Sequence, residues 1–271
     1  MELKDKTVII TGAAQGIGTA IAKRFSHEGA KLVLADLNHD KVEQAASSIG
    51  ADGIQCDVTQ EADIQKLVAF TQEKYGAVDM FVSNAGVCFG EDEHSASASN
   101  ETWQKCWEIH VMSHVYAARA VLPSMMERGD GYLVQMASAA GLLSQIGDAA
   151  YSATKHAAVG FAESLSITHG KQGIKVSCVC PQYVATQMTG YEEGRENNNS
   201  PAILSAEEVA ESVLQGIKNE QFLILPHSEV AEFMQHKTAD YDRWLGGMRK
   251  LRSNIVDAVG STKLEDMHKL F

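Results

Sequence analysis

The run Thr7 to Thr11 passes directly into Thr11-Gly12-Ala13-Ala14-Gln15-Gly16-Ile17-Gly18 and then into the helical pattern IGTAIAKRF. A strand that turns through glycines into a helix admits few folds. Gly12 permits a tight strand-to-helix turn, Gly16 lets the backbone approach a pyrophosphate, and Gly18 permits close packing of helix on sheet. A glycine trio by itself is also a plain turn. Between strand and helix it presents helix N-terminal amides to phosphate, which makes Gly12, Gln15, Gly16, Ile17 and Gly18 candidate nucleotide contacts.

Short apolar runs alternate with longer helical patterns along most of the chain. Strands are expected at Thr7 to Thr11, Lys31 to Ala35, Gly53 to Cys56, Val78 to Ser83, Gly131 to Ala137, Lys175 to Cys180 and Phe222 to Leu225. Runs such as VII, LVL and VSCVCP are apolar without strict alternation, as strands buried on both faces should be. The reading is an α/β chain with a doubly wound parallel sheet and helices on both faces, since the glycine turn follows the first strand. At 271 residues the chain can bury a full core in one domain. Two irregular stretches, CFGEDEHSASASN and QMTGYEEGRENNNSP, follow strand ends where ligand loops lie; the second reads as a lid or as a tolerated surface insertion.

Composition narrows the partners. The net charge of -12 leaves no excess of Lys and Arg for nucleic-acid phosphates. No apolar stretch approaches the roughly 18–20 residues of a membrane span, and the N-terminus MELKDKTVIITG lacks a signal-peptide pattern, so a cytoplasmic location is expected. Cys56, Cys88, Cys106, Cys178 and Cys180 form no C-x-x-C pair, so neither a disulfide framework nor a metal site is expected.

Successive strand ends carry polar residues. Asp36 ends the second strand about twenty residues after the glycine loop, where a carboxylate accepts hydrogen bonds from ribose hydroxyls and repels a 2′-phosphate. Leu37, Asn38 and His39 follow without an arginine, which favours NAD over NADP; a helix-cap or turn aspartate is the plainer alternative. Asp57 and Val58 close the third strand beside an expected adenine site, and Asn84-Ala85-Gly86 closes the fourth; either is also ordinary turn chemistry.

Tyr151 stands four residues ahead of Lys155 in a helix expected from Ala150 to about Gly170, and Ser138 ends the run GYLVQMAS. A nearby ammonium favours phenolate, so Lys155 is expected to pull the Tyr151 pKa toward neutrality and make a usable acid/base. Ser138 would hold a substrate oxygen against the phenol. Taken alone, a Tyr/Lys pair at this spacing is usually a solvated helix face.

Together these residues resemble the short-chain dehydrogenase/reductase family, with its T-G-x-x-x-G-I-G loop, N-A-G strand end and Ser…Y-x-x-x-K set, over roughly Lys4 to Leu225. The resemblance implies a single Rossmann-type domain, here residues 1–226, and a homo-oligomer, tetramer or dimer; beyond it, the near-3.6-residue apolar period of the tail reads as a helical extension over 227–271 packed on the same domain or a neighbouring subunit. The resemblance also implies hydride transfer between a nicotinamide and a carbinol carbon. Tyr151 is then the acid/base, Lys155 the ribose ligand, Ser138 the substrate orienter, and Pro181, Val184 and Thr186 contacts near the carboxamide. Two positions depart from the pattern: Gln182 replaces a glycine, and His110 stands where an asparagine usually serves a proton relay. His110 either joins that relay or is a tolerated helix histidine.

The substrate is less legible. Phe89, Leu142, Leu143, Ile146, Tyr183 and Met188 suggest a mainly apolar secondary alcohol or ketone, while Phe233, Trp244 and Met248 in the tail either cover the pocket or simply pack. A 3-oxoacyl thioester reductase and a catalytically silent nucleotide sensor are the competing readings.

Overall fold

Every residue of β1 (Thr7–Thr11) is buried, because the strand is covered on both faces. Val8 and Ile10 point to one layer of helices and Ile9 to the other. Each such side chain contributes about 1.5–3 kcal/mol of burial, so a run without alternation specifies a central strand.

The computed structural model describes residues 1–91, 93–191, 202–267 and 270. Among them, β1 joins β2 (Lys31–Asp36), β3 (Asp52–Gln55), β4 (Met80–Ser83), β5 (Gly131–Met136) and β6 (Ile174–Val179) in one sheet. A small ribbon of β7 (Tyr183–Val184) and β8 (Ile203–Leu204) precedes the last sheet strand, β9 (Leu223–Ile224). The sheet order is β3-β2-β1-β4-β5-β6-β9, with all neighbours parallel.

The helices before β9 are α1 (Gly16–His27), α2 (His39–Ser47), α3 (Glu61–Tyr75), α4 (Asn100–Trp107), α5 (Ser113–Arg128), α6 (Ala149–His169) and α7 (Ala206–Lys218). Ile21 and Phe25 of α1, Val42 of α2 and Val213 of α7 share a core with Val8 and Ile10. Leu67 of α3, Val121 of α5 and Ala162 of α6 pack with Ile9 on the other face. This is the doubly wound Rossmann-type architecture, in a single domain.

All seven expected strands are present, their ends matching or shifted by no more than two residues. One shift matters for the site: β3 stops at Gln55, so Asp57 and Val58 lie beyond the strand they were expected to close. Asp57 instead accepts from the Thr59 N–H at 3.0 Å and the Thr59 hydroxyl at 2.8 Å, turning the chain toward α3. The β7–β8 ribbon was not expected, and residues 192–201 of the anticipated lid lie outside the described residues.

After β9 the chain forms α8 (Glu229–Ala239), α9 (Tyr241–Val259) and the short α10 (Leu264–Met267). Asp240 breaks α8 from α9 and caps the second helix, its Oδ1 accepting the Arg243 N–H at 3.0 Å. The tail then returns to the loop before α6: Thr262 packs so closely on Gly147 that a Cβ there would overlap the Thr262 carbonyl.

Candidate active site

The strand order changes sense between β1 and β4, opening the crevice at which ligands of doubly wound sheets bind. The glycine turn lies at its mouth. Gly12 has φ 62°, and a Cβ there would stand 2.7 Å from Ala85 Cα; at Gly18 a Cβ would overlap the Gly12 carbonyl. Asn84 locks this turn, its Nδ2 donating to the carbonyls of Thr11 and Gly12 at 2.9 and 3.0 Å. Asp36 braces the other side, accepting from the Ala14 N–H at 3.1 Å and the Asn38 N–H at 3.0 Å. Its carboxylate thus caps backbone amides and borders the crevice as well. Across the turn, a Cβ on Gly16 would meet Thr186 Cγ2 at 3.3 Å. The cradle has room for backbone-bound phosphate between these walls and little for added side chains.

Ser138 and Tyr151 arrive from different elements. Ser138 follows β5, its Oγ accepting the Ala140 N–H at 3.1 Å, which starts a 3-10 turn over Ala139–Gly141. Asp148 caps α6 by accepting the Tyr151 N–H at 2.9 Å, while its other oxygen takes the Phe89 and Gly90 N–H groups at 3.2 and 2.8 Å. This aspartate, 2% exposed, fixes the tyrosine against the loop after β4. Its signal in the sequence is the cap position three residues before Tyr151.

Lys155 is 2% exposed and donates to the Met136 carbonyl at 2.9 Å, its Nζ lying 5.6 Å from the Tyr151 ring centroid. Burial lowers its pKa to about 8. For Tyr151 burial is also the largest influence, and it raises the phenol pKa; the Ser138 hydroxyl opposes that rise. The lowering expected from Lys155 is therefore outweighed in this geometry, because the ammonium is turned to a carbonyl instead of the phenol.

His110 lies behind the site, fully buried on a π-helical turn over Glu108–Met112. Its Nε2 accepts the Val87 N–H at 3.0 Å, so the ring hydrogen belongs on Nδ1, which faces Thr154 Oγ1 at 2.9 Å. The ring also meets Tyr151 edge-on, centroids 5.3 Å apart. Burial, then the charge of Lys155, hold its pKa well below the ordinary histidine value. A neutral strut results. In the segment after β6, His227 plays a comparable part: Nδ1 accepts the Gln182 N–H at 3.1 Å and Nε2 donates to the Tyr183 carbonyl at 3.0 Å. Sequence reasoning passed over it, since nothing in LPHSEV marks a pinned loop.

One cavity of about 860 Å³ brings these residues together. It is bordered by Gly12, Gln15, Gly16, Ile17, Gly18, Asp36, Leu37, Asp57, Val58, Asn84, Ala85 and Gly86 at the cradle, then by Ser138, Tyr151, Lys155, Pro181, Val184 and Thr186. His110 alone of the expected site residues is absent from the wall. Beyond Ser138 and Tyr151 the lining includes the apolar side chains of Leu143, Ile146, Met188, Phe233, Trp244 and Met248. Phe89 and Leu142 do not border it; Phe89 is 47% exposed beneath Lys105.

A switch-point crevice, a glycine cradle and a Ser/Tyr/Lys group on one cavity define a Rossmann-type oxidoreductase site. Sequence comparison agrees: the short chain dehydrogenase profile matches residues 6–197, and the chain belongs to that family. Oxidoreductase UcpA of Salmonella typhimurium is 33% identical over 98% of both chains, and borneol dehydrogenase of Lavandula x intermedia is 30% identical over 83% of this chain and 88% of its own. A short-chain dehydrogenase/reductase from Burkholderia phymatum in complex with NAD superposes with a TM-score of 0.80 at 27% identity, covering 89% of this chain and 96% of that one. One from Sphingobium yanoikuyae in complex with NADPH gives 0.73 at 25% identity, covering 92% and 96%.

Proposed function

We propose that the protein is an NAD-dependent dehydrogenase that interconverts a largely apolar secondary alcohol and its ketone. The observation that carries this reading is the single cavity joining the glycine cradle to Ser138, Tyr151 and Lys155. Gly12, Gly16, Gly18 and the strand-end residues would hold the dinucleotide, which supplies the hydride acceptor or donor. Solved relatives bound to NAD and to NADPH support a nicotinamide dinucleotide of either kind, and Asp36 favours NAD, because its carboxylate would repel a 2′-phosphate.

In this mechanism Ser138 donates a hydrogen bond to the substrate oxygen and holds it near the Tyr151 phenol. Tyr151 gives its proton to that oxygen in ketone reduction and takes one from the hydroxyl in oxidation. Burial keeps the phenol protonated near neutrality, which suits it as the donor; alcohol oxidation is expected to rise toward alkaline pH. Lys155 orients the ribose side of the site and stands ready beneath the phenol. His110 serves as a strut, with any relay passing its backbone and not its ring, since both ring nitrogens are engaged. The apolar far wall, and the similarity to a borneol dehydrogenase, support a bulky hydrocarbon substrate over a phosphorylated carrier thioester. On the same reading the enzyme works as a homo-oligomer, dimer or tetramer, in the cytoplasm.

The test is a panel of secondary alcohols and ketones, borneol among them, assayed with NAD(H) and NADP(H) in parallel. Turnover with NAD(H) is expected, falling about 10²–10⁴-fold in Tyr151→Phe while NADH binding persists. A preference for NADP(H) would overturn the role given to Asp36. Tight NADH binding with no turnover of any member would favour a nucleotide sensor.

A further inference from the structure

The helical pair α8 and α9 runs over the apolar end of the cavity, yet little of it is buried. In α8 only Val230 and Lys237 are buried, and in α9 only Ile255. Phe233, Tyr241, Leu251 and Val256 stay between 36% and 55% exposed. A pair of helices held by so few buried groups sits at the low end of local stability and is able to part from the body without unfolding it.

One of those few anchors is a lysine. Lys237 is 8% exposed, and its Nζ donates to the carbonyls of Leu142 and Leu143 at 2.8 and 3.0 Å. Those carbonyls belong to the segment that leaves Ser138 through the 3-10 turn, so they are joined by a few bonds to the group that holds substrate oxygen. The ammonium also lies 4.9 Å from the Trp244 ring centroid and 5.5 Å from that of Tyr241. Carbonyl dipoles and ring faces thus compensate its charge. Leu143 and Trp244 both border the cavity. Lys237 spans the seam between them.

We propose that Lys237 is a positioning residue that latches the α8–α9 pair onto the loop after Ser138, and so sets the size and affinity of the pocket for bulky apolar substrates. This rests on the dehydrogenase reading above. A latched lid presents Trp244, Met248 and Phe233 to the hydrocarbon part of an alcohol, while the hydroxyl end is governed by Ser138 and Tyr151. Small alcohols do not reach the lid. A role confined to the stability of the whole fold would instead lower active enzyme for all substrates alike and leave KM in place.

The test compares wild type with Lys237→Met, which keeps length and apolar stem but removes the ammonium and leaves two carbonyls without their donor. With propan-2-ol, KM and kcat are expected to stay within about twofold; with borneol, KM is expected to rise about tenfold with kcat nearly constant. The dissociation constant for NADH should not change. Hydrogen exchange supplies a readout that needs no turnover: amides of 229–259 should exchange faster, with 131–136 and 149–169 unaltered. A KM effect independent of substrate size, unchanged exchange in 229–259, or faster exchange throughout the chain would each overturn the latch. If wild type turns over no alcohol, the dehydrogenase reading fails, and the exchange pattern still decides whether Lys237 fastens the lid.

Discussion

Lys155 is held in the site against its own preference for water. Its pKa falls from 10.5 to about 8 through burial. Below about pH 8 both the folded and unfolded chains carry the charge, so folding bears the whole desolvation penalty; between about pH 8 and 10.5 the folded form has lost its proton first and the penalty fades. A displacement of this size corresponds to about 3 kcal/mol. Lys155→Met removes it and leaves the Met136 carbonyl unpaired, at about 1–3 kcal/mol. We therefore expect Lys155→Met to unfold in urea at pH 7 no more easily than wild type, and its stability to lose the rise above about pH 8. Turnover should fall more than about a hundredfold. A clearly destabilised Lys155→Met would mean that the ammonium supports the fold instead of burdening it.

At the scale of elements, the π-helical turn between α4 and α5 decides where His110 lies. The Ser113 N–H bonds the Glu108 carbonyl five residues back, inserting a residue into the helical phase. That shift buries the imidazole between the Val87 amide and Thr154, whose hydroxyl donates onward to the Ala150 carbonyl at 2.8 Å. Because the ring is neutral and doubly bonded, His110→Asn should leave the pH dependence of turnover unaltered, whereas His110→Leu should cost about 1–3 kcal/mol of stability by orphaning the Val87 N–H. An ionisation lost from the pH profile of His110→Asn would instead put the ring in the proton path. The sequence shows no trace of this turn, since EIHVM reads as plain helix. Strands were legible for the opposite reason: TVII and LVLA are buried on both faces, and that burial writes itself into composition. The Tyr151, Lys155 and Ser138 spacing was legible because α6 and the end of β5 are regular. Lys237 was not, for a lysine in a helix ordinarily marks a solvated face, and only the return of α8 onto the loop at Leu142 takes it out of water.

At the scale of the whole molecule, three histidines among the described residues are buried, each with a lowered pKa. His110 joins the loop after β4 to α6, His227 pins the Gln182–Tyr183 backbone, and His114 lies on α5 beside Gln135, fully enclosed. Burial lowers all three pKa values, that of His114 to about 3, with Lys155 pushing the same way and Gln135 opposing. A histidine lowered in the folded state binds its proton first in the unfolded chain, so its stability contribution is present above the unfolded value near 6.5 and is lost as pH falls. Between about pH 6.5 and 5, His114 alone accounts for a loss of about 2 kcal/mol. The net charge of -12 works in the other direction, because acidification relieves self-repulsion, but that long-range effect is largely screened at 0.15 M salt. The short-range histidine effect should win. Urea unfolding at this ionic strength is therefore expected to show stability falling from pH 6.5 to 5, before most carboxylates titrate, and His114→Leu to flatten the slope by about the same 2 kcal/mol. A flat profile in wild type, or an unchanged slope in His114→Leu, would mean that water or a neighbour accommodates the protonated ring inside the fold.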